Sequence, residues 1–389
     1  MSDSATVSNL SVLPVTIEVR SASEQDFVLA QWRSLETRLG DRSISCSADW
    51  TETWLDAFGD LVPHRFVLAQ QGTRLCGICL ITEGVQQTDG PVKVRSLHVG
   101  TAGEPEADSI CVEYNRLLVE PACRAAFSRQ LVEYLSQQRD FDQWNLDGFS
   151  GEDLAAFEQA DPRLEQEACP AHYVDLDAIR AKGCDLLAAL KHEPRRKVKK
   201  GLQAFEGVRF EWAESIESAT DVFGELIELH QARWQSLGKP GVYSSERFVR
   251  FHEGLIARLV PSGRMAFARV TSNRGTVGCL QFFVENKRAL IYQCGWAPSE
   301  KSISPGVVVD YLTIEACLSR GFVAYDFLSH ATQHKKDLTN ASVPIVWARH
   351  RRPRVKFFAL HQARKVKRYF EERKAEAAKA AGSQPESRG

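Results

Sequence analysis

The stretch from Met265 to Lys336 constrains the fold of this chain more than any other part of the sequence. Three alternating apolar runs, separated by polar turns at 273–275 and 286–288, predict an antiparallel meander. A helix should begin at Ser304-Pro305, because Ser is a preferred cap and Pro a preferred first residue. A last apolar strand, 323–328, follows the helix. This order predicts an α+β fold in which the free N–H groups at the helix start suit a phosphate.

Length and charge divide the chain into two parts. A length of 389 residues exceeds what one hydrophobic core usually supports. Residues 1–170 carry 13 Lys and Arg against 27 Asp and Glu, whereas the remainder carries 36 against 23. The basic second part suits anionic ligands such as phosphates or nucleic acid. We therefore predict a disordered leader at 1–14, an acidic domain at 15–170, a basic domain at 171–375 and a frayed tail at 376–389.

Composition and motifs argue against several classes of protein. No run approaches the roughly 18 consecutive apolar residues needed to span a bilayer. The first residues lack the basic start and apolar centre of a secretion signal, so we expect a cytoplasmic protein. No HExxH, Walker or GxGxxG motif occurs, and we expect no metal. Cys76 and Cys79 have CxxC spacing, but positions three apart on a strand face opposite sides, which favours ordinary buried thiols.

Periodicity predicts the same outline in both parts of the chain: helices, then a hairpin, further strands and another helix. Predicted strands lie at 15–20, 65–82 as a hairpin, 92–100, 115–121, 143–149, 171–176 and 208–214. Predicted helices lie at 23–40, 48–59, 122–138, 185–207 with a break near Pro194, 220–238 and 246–259. The repeated outline favours two tandem copies of one α+β fold, each a mostly antiparallel sheet flanked by helices.

Several motifs together carry a resemblance to a known family. They are SADWTETWLDAFG with RFVLAQQGTRLCGICLI after it, RRKVKKGLQAFEGVRFE, ARWQSLGKPGVY, ISPGVVVDYLTIEACLSRG and YDFLSHATQHKKDL. In this order, from about Phe27 to Phe370, they resemble the GNAT-like acetyltransferases associated with cellulose and exopolysaccharide biosynthesis (the CelD/BcsL-like family), relatives of the FemAB peptidyltransferases. The resemblance implies two GNAT-type folds side by side and acyl transfer from a thioester to an amine.

One segment departs from the family pattern. After the strand that ends in Asp-Phe-Leu, the family usually has a Gly-Asp pair and then Tyr-Lys. This chain has His330-Ala331 and then His334-Lys335 in those places. The lysine is kept and the carboxylate is lost, so the role that the family gives to that carboxylate does not carry over.

Acyl transfer needs a slot for the carrier's pantetheine arm and donors for its thioester oxygen and phosphates. We expect the backbone at Gln293, Cys294 and Gly295 to line the slot, with Gly295 allowing a ligand to approach closely. Ser304 and Gly306 are expected to meet the pyrophosphate, with Lys301 as a mobile counter-charge. The structural alternative is a plain capped helix after a strand, without a ligand.

The reaction also needs a group that removes the amine's proton. Asp326 ends a strand beside the slot, where a loop can present side chains to a site. His330 has an ordinary pKa near ~6.5, which suits a base at neutral pH. Tyr292 can protonate the departing thiolate. In the structural alternative these residues are a loop cap, a surface imidazole and a core phenol.

Cationic side chains are candidates for binding the acceptor or the carrier. Arg196 and Lys200 share one face of a basic helix, which in the simplest interpretation is only a solvated face. Arg233 and Trp234 can add a guanidinium fork and an aromatic wall, although such a Trp is more often in a core. The remaining candidates are His334, suited to a proton relay, and Lys335 and Lys336, whose ammonium groups titrate near ~10.4 and so suit anion binding.

The basic C-terminal run, 347–380, predicts a strand followed by a long helix. Such a helix suits the phosphate backbone of a nucleic acid, or an anionic membrane surface that would bring the enzyme to a polysaccharide-synthesis complex. This helix is not polar on every side, because it carries the apolar residues Phe357, Phe358, Leu360, Val366 and Tyr369. Part of it must therefore pack.

The sequence thus predicts an acyl-CoA-dependent N-acyltransferase, with acetyl-CoA as the expected donor. The expected acceptor is an amine of a sugar precursor or another small molecule, attacked directly in a ternary complex without a covalent enzyme intermediate. One alternative is an aminoacyl-tRNA-dependent peptidyltransferase of FemAB type, in which the basic half would hold tRNA. The other is a non-catalytic scaffold that retains the fold.

Overall fold

A computed structural model describes residues 13–40, 43–183, 185–299, 303–329 and 333–382, with residues 333, 334, 367, 372 and 374–382 described by their backbone alone. Most of the predicted leader, residues 1–12, and the end of the predicted tail, 383–389, lie outside the described residues. Every helix within these ranges is too short or too polar to cross a bilayer.

The amino-terminal half, residues 13–160, begins with a strand and two helices, which precede a hairpin. Helix α1 (Gln25–Leu39) is followed by Gly40, whose φ of 61° is the left-handed conformation that glycine adopts readily. Helix α2 (Ala48–Phe58) begins where the Ser47 side chain accepts a hydrogen bond from the Trp50 N–H. The elements are β1 Val15–Ser21, α1 Gln25–Leu39, α2 Ala48–Phe58, β2 His64–Gln71, β3 Arg74–Glu83, β4 Thr88–Asp89, β5 Val92–Lys93, β6 Ser96–Val99, β7 Leu118–Val119, α3 Arg124–Gln137, β8 Gln143–Phe149 and α4 Gly151–Ala160.

The rest of the chain contains a second set of the same kind of elements. A connecting segment consists of β9 Glu165–Asp175, α5 Leu176–Ala181, α6 Leu186–Ala189 and α7 His192–Ala204. The carboxy-terminal half, residues 209–329, comprises β10 Arg209–Ala213, α8 Ile216–Ser236, α9 Glu246–Leu259, β11 Met265–Ser272, β12 Gly275–Glu285, β13 Arg288–Trp296, α10 Pro305–Ser319 and β14 Ala324–Asp326. After it come α11 Gln333–Leu338, β15 Ala341–Arg351 and α12 Val355–Gly382.

One sheet runs through both halves, and the halves exchange strands at its centre. The strand order is β1-β2-β3-β6-β8-β15-β9-β14-β13-β12-β11-β10. Strand β9, which follows the amino-terminal half, pairs with β14 of the other half. Strand β15, from near the end of the chain, pairs with β8. The predicted boundary at residue 170 lies within β9, and the edge of β8 in the amino-terminal half is completed by β15 from beyond that boundary.

The two halves repeat each other in strand direction and in detail. In each half, antiparallel strands lead to one parallel pair, β6 with β8 and β13 with β14. The second hairpin strand of each half carries a β-bulge at the same place, where Cys76 in β3 and Val277 in β12 are the extra residues. Each is followed by a glycine, Gly77 or Gly278, where a side chain would collide with an aromatic ring. The predicted fold of helix-flanked sheets is confirmed.

The bulge in β3 makes one sequence expectation wrong. Because the extra residue interrupts the alternation of side chains, Cys76 and Cys79 pack into the same core cluster and do not face opposite sides of the sheet. Burial raises the pKa of Cys76 to about 12. Both thiols are therefore unreactive at neutral pH, as expected of buried cysteines.

The helices cover the sheet in layers and create three hydrophobic cores. One core lies under α3 and α4 and a second under α7 and α10. The largest joins the two halves, because α2 packs on α9 and brings Trp50 within 5.0 Å of Phe251 and 5.6 Å of Phe283, measured between ring centres. Each such buried aromatic side chain contributes about 1.5–3 kcal/mol to folding, so this shared core fixes the two halves against each other.

Several predicted elements differ in extent. The strand predicted at 92–100 is split into β5 and β6, and that predicted at 115–121 is only the two residues of β7. Strand β9 begins at Glu165, six residues before the prediction. The basic helix breaks before Pro194, which lies in the first turn of α7, where its missing N–H costs no hydrogen bond. The short helix α11 was not predicted.

Among the side chains of α12 that the structure describes, those of its first turns pack against the rest of the protein. Phe357 and Leu360 are buried, whereas Phe358, Val366 and Tyr369 are more than half exposed. The expectation that part of this helix packs is therefore confirmed.

Candidate active site

The parallel strands β13 and β14 separate after a short pairing. Arg288–Leu290 pair with Ala324–Asp326, and β13 then continues to Trp296 with only β12 as its neighbour in the described sheet. A β-bulge makes Tyr292 the extra residue opposite β12, at the point where the two strands part. The separation leaves N–H and C=O groups of β13 without a strand partner, as a slot for an extended polar ligand requires.

A cleft of about 520 Å³ lies between the end of β13, the last turns of α8 and the first turn of α10. Ser304 is the N-cap of α10 but makes no side-chain cap hydrogen bond, and Pro305 supplies no N–H. The first N–H groups of a helix have no intrahelical acceptor and carry the positive end of its dipole. The cleft is lined by Leu229, Ala232, Arg233, Ser236, Trp296, Ala297, Pro298, Ser299, Ile303, Ser304, Pro305 and Gly306.

The cleft has a cation and an aromatic floor. Arg233 lines it with an exposed side chain that forms no ion pair within the described part of the chain. A Cβ on Gly306 would lie 3.2 Å from the Trp296 ring, so glycine lets the helix start close over that ring. Trp234, by contrast, lies outside the lining and donates its indole N–H to His230 Nε2 at 2.8 Å.

The predicted glycine of the slot has a different role from the one expected. A Cβ on Gly295 would lie 2.8 Å from the Leu226 carbonyl oxygen and 2.9 Å from Leu229 Cβ, both on α8. Gly295 therefore allows α8 to approach β13, and the close contact is with a helix. Its neighbours Gln293 and Cys294 are half-buried along the free part of β13.

The basic stretch of α7 is divided between structural and free cations. Arg196 pairs with Glu193 at 2.9 Å on the surface. Lys200 is exposed and precedes Gly201, which packs against Val308 in the first turns of α10. In addition, Lys197 forms a 3.2 Å ion pair with Asp337 that ties α7 to α11.

A buried acid, Asp310, lies in α10 near the slot. Asp310 is fully buried and accepts a hydrogen bond from the Tyr325 hydroxyl at 2.8 Å. Burial raises the pKa of Asp310 to about 6, against the attraction of the Lys335 ammonium. Lys335 is half-buried with its Nζ 5.5 Å from the centre of the Phe327 ring, and Lys336 is exposed. Sequence analysis missed Asp310, although a lone acid in the apolar run GVVVDYLTI is itself a signal.

Asp326 is fully buried and its carboxylate has three donors. Its Oδ2 accepts from the Tyr114 hydroxyl at 2.7 Å and from Arg288 at 2.6 Å. Its Oδ1 accepts from the Leu328 N–H at 2.8 Å, which holds Leu328 at a φ of 60°. These three donors hold the carboxylate in one orientation. Asp326 thus links the two halves and shapes the turn after β14.

A small cavity of about 20 Å³, enough for one water, lies behind the bulge between the two halves. Tyr292 lines it, and its buried hydroxyl has no hydrogen-bond partner among the described residues. Glu113, from the amino-terminal half, also lines it and accepts from the Ser329 N–H and hydroxyl at 2.7 and 2.6 Å. Burial raises the pKa values of both Glu113 and Tyr292. Burial also raises the pKa of nearby Glu104 to about 7.

Two further buried groups adjoin the bulge. Gln281 and the Nδ1 atom of His252 lie 2.8 Å apart, while His252 Nε2 and Gln281 Oε1 have no partner within the part of the chain that the structure describes. The His252 and Tyr292 rings are 5.4 Å apart between centres. Burial lowers the pKa of His252 to about 3, so this ring is neutral and can only relay a proton.

The corresponding gap in the amino-terminal half is filled. After β6 the chain leaves the sheet, and residues 100–117 cover the gap before the chain reaches β7. Asn115 bridges to Phe149 and donates its side-chain N–H groups to the Val99 and Asp147 carbonyl oxygens. This same segment carries Glu113 across to the other half, which is why no local sequence pattern revealed it.

Three of the predicted site residues cannot be placed in full. Lys301 and His330 lie outside the described residues. His334 belongs to α11, but its side chain is outside the described part of the structure.

Comparison with known proteins identifies the segment that holds this site. Residues 189–336 match the family model described as an acetyltransferase (GNAT) domain. No curated protein sequence matches the chain. The fold is similar to the C-terminal domain (DUF2156) of an Agrobacterium fabrum protein named as a lysylphosphatidylglycerol synthetase, with 12% identity, a TM-score of 0.53, and coverage of 86% of this chain and 95% of that one.

A second solved structure, FemX, is similar over 82% of this chain and 95% of its own, with 10% identity and a TM-score of 0.52. At such identities both likenesses concern the fold alone. The family match covers β13, α10 and β14, which form the slot and the cleft. Residues 189–336 are therefore a GNAT acetyltransferase domain, and the chain that carries this domain in its mixed α/β fold is an acyltransferase.

Proposed function

We propose that the protein transfers an acyl group from acyl-CoA, with acetyl-CoA the expected donor, to the amine of a small acceptor such as a sugar precursor. The observation that carries this proposal is the separation of β13 from β14 close to the first turn of α10. An extended pantetheine arm fits a strand edge, and a pyrophosphate fits free helix N–H groups.

The carrier is bound by groups from both strands and helices. The free edge of β13 at Gln293 and Cys294 pairs with the pantetheine amides, and the first turn of α10 at Ser304 and Gly306 holds the pyrophosphate. Arg233 supplies the counter-charge in the cleft. Lys200 and Lys335 add positive potential around the phosphates, because both lie close to α10 or its buried acid.

The chemistry takes place beside Tyr292. The acceptor nitrogen attacks the thioester carbon, the C–S bond breaks, and the amine proton leaves to a base. We propose Glu113 as the base, because burial raises its pKa and because it lines the small cavity beside Tyr292. Tyr292 keeps its phenolic proton at neutral pH, since burial raises its pKa, and can donate that proton to the departing thiolate.

Calorimetric titration of the full-length protein with CoA tests the carrier site. Arg233→Ala should weaken CoA binding roughly tenfold, the value of one charge-assisted hydrogen bond. Arg250→Ala, which removes an exposed arginine from α9, should leave it unchanged. Absence of CoA binding by the unaltered protein, or equal affinities for all three proteins, would falsify the assignment.

The acceptor is tested by thiol release from acetyl-CoA and longer acyl-CoAs with a panel of amines. The aminoacyl-tRNA alternative rests on the exposed cations of α7 and α12. Salt-sensitive binding of bulk tRNA without any CoA binding would favour that alternative. Binding of neither ligand would leave a scaffold that keeps only the fold.

A further inference from the structure

A second cavity, of about 480 Å³, lies in the centre of the sheet, away from the acyl-CoA cleft. Every residue that lines it belongs to β6, β8, β9 or β15 or to the loop before β4, and none of them lines the cleft beside α10. The lining residues are Gln87, His98, Gln143, Asn145, Asp147, Glu165, Gln166, Glu167, Trp347, Ala348 and Arg349.

The strands that line this cavity have apolar side chains on the face that packs in the core and polar side chains on the face toward the cavity. In β8, Trp144 and Leu146 are buried in the core under α3 and α4, whereas Gln143, Asn145 and Asp147 face the cavity. Three carboxamides, of Gln87, Gln143 and Asn145, converge on one space with three carboxylates, an imidazole and a guanidinium. The Gln166 side chain instead turns to the other face of the sheet, where it donates to Glu158 at 3.0 Å. Such convergence of a few polar groups in a preformed concave site is typical of ligand binding.

One of these groups, His98, is buried and held by two partners. Its Nδ1 lies 2.7 Å from Asp147 Oδ2 and its Nε2 lies 2.9 Å from the Ser96 hydroxyl. Burial works against the charged ring, but the attraction of Asp147 outweighs it and raises the pKa of His98. The order Ser, His, Asp is that of a hydrolytic triad, yet Ser96 is only 1% exposed. It is enclosed by the backbone at Gly84, so it cannot act as a nucleophile.

The charges select the chemical class of ligand. Arg349 donates to Glu165 at 2.8 Å. Two carboxylates, Glu167 and Asp147, lie outside that pair, and His98 partly offsets the charge of Asp147. An anionic ligand such as a sugar phosphate is therefore disfavoured, and an ammonium group is favoured. The carboxamides both donate and accept hydrogen bonds, as hydroxyl groups require. The half-buried Trp347 offers a flat apolar surface for a ring.

We propose that this cavity, which we call the central polar site, binds an amino sugar that carries no phosphate. The carboxylates bind its ammonium group, the carboxamides of Gln143 and Asn145 bind its hydroxyls, and Trp347 covers one face of its ring. The site belongs to the half of the molecule whose own acyl slot is filled by Asn115. The proposal does not rest on the acyl-CoA assignment, because the two sites share no residue.

The test is titration of the full-length protein, without CoA, with glucosamine, glucose and glucosamine 6-phosphate, followed by calorimetry or saturation-transfer NMR. Glucosamine should bind at least threefold more tightly than glucose and tenfold more tightly than glucosamine 6-phosphate. Asp147→Asn should remove the preference of glucosamine over glucose, and Gln143→Ala, on a half-buried residue of the lining, should weaken both sugars. Asp140→Asn, an exposed acid elsewhere, should change neither.

Two results would overturn the proposal. One is the absence of saturable binding of any of the three sugars up to about 10 mM, a concentration that detects interactions of only about 3 kcal/mol. The other is binding of glucosamine 6-phosphate as tightly as glucosamine. CoA affinity measured on the same variants should stay unchanged, so a failure here is distinguishable from a failure of the acyl-CoA assignment.

Discussion

The acidic residues near the slot differ in their hydrogen-bond donors and surroundings. Both oxygens of Asp326 accept hydrogen bonds, from an arginine, a tyrosine and a backbone N–H. Both oxygens of Glu113 accept from one serine, which lies on a loop of the other half. Asp310 is fully buried in α10 and accepts from the Tyr325 hydroxyl. Burial raises the pKa values of Glu113 and Asp310, which is the property expected of groups that exchange protons near neutral pH.

Replacement of Asp310 by Asn should stabilise the protein at neutral pH. The pKa of Asp310 is about 6 in the folded protein, above the value of about 3.9 expected when unfolded. A raised folded pKa means that the contribution to stability is complete below about pH 4 and is lost as the pH rises through 6. Asp310→Asn cannot ionise, so at pH 7.5 it should gain on the order of 1–3 kcal/mol in the free energy of unfolding.

The measurement is urea unfolding of both proteins between pH 4 and pH 8. The two curves of stability against pH should meet near pH 4 and separate as the pH rises. Parallel curves over the whole range would show that Asp310 ionises as freely when folded as when unfolded.

Replacement of Glu113 by Gln should slow turnover and leave the fold intact. Gln keeps the size of the side chain and can still bond to Ser329, but it cannot accept a proton. Loss of a general base typically lowers kcat by about 10²–10⁴-fold. We expect kcat to fall in this range, CoA affinity to stay unchanged, and the acidic limb of the pH–rate profile to disappear. Glu106→Gln, an exposed acid on the same loop, is the matched control; equal turnover in both variants would exclude Glu113 as the base.

At the scale of elements, the contact between α8 and β13 depends on a glycine. A side chain at Gly295 would press on the backbone and Leu229 of α8 at less than 3 Å. Gly295→Ala should therefore lower the free energy of unfolding by about 1–3 kcal/mol, the usual effect of overpacking. It should also weaken CoA binding, because α8 forms one wall of the cleft.

Helix α8 offers the control for this prediction. Gly224 lies within the same helix with open space around its Cβ position. Gly224→Ala should raise stability by about 0.5–1 kcal/mol, because alanine loses less conformational entropy in a helix. Thermal unfolding of the two variants should shift in opposite directions. A shift in the same direction would mean that the α8–β13 contact is not tight.

Elements with a complete local signal were predictable from the sequence. Helix α9 has the predicted ends, Glu246 and Leu259, because a serine cap, an amphipathic period and a following turn all lie within it. Strand β9 was predicted only from residue 171, because its first residues are polar and exposed and are ordered by β15, far away in the sequence. The pairing of β9 with β15 leaves no pattern in the local sequence of β9.

The site divides in the same way. The cleft residues Ser304 and Gly306 follow from a strand, a cap and a proline that are neighbours in sequence. Glu113 and Glu104 lie on the irregular segment 100–117, whose path is set by the tertiary fold. The role of Gly295 was not predictable, because the local sequence does not show whether the space beside a glycine is filled by a helix or by a ligand.

At the scale of the whole molecule, the exchanged strands make the two halves inseparable. Residues 1–160 expressed alone lack β15, so the edge of β8 stays open and this fragment should aggregate. Co-expression with residues 161–389 should restore a soluble complex, because that fragment supplies β15. Size-exclusion chromatography and circular dichroism measure the recovery. Ala348→Pro in the second fragment breaks the pairing of β15 with β8 and should abolish the rescue; a monomeric, folded 1–160 fragment would contradict the prediction.

The same exchange fixes an order of events on the ribosome. Strand β8 leaves the exit tunnel roughly 200 residues before β15, and at about 5–20 residues per second its neighbour is missing for some ten to forty seconds. During that interval the nascent sheet is open in its middle, where other growing chains can add to it. The yield from a heterologous host should therefore depend on the speed of translation and on chaperone supply more than on the stability of the finished enzyme.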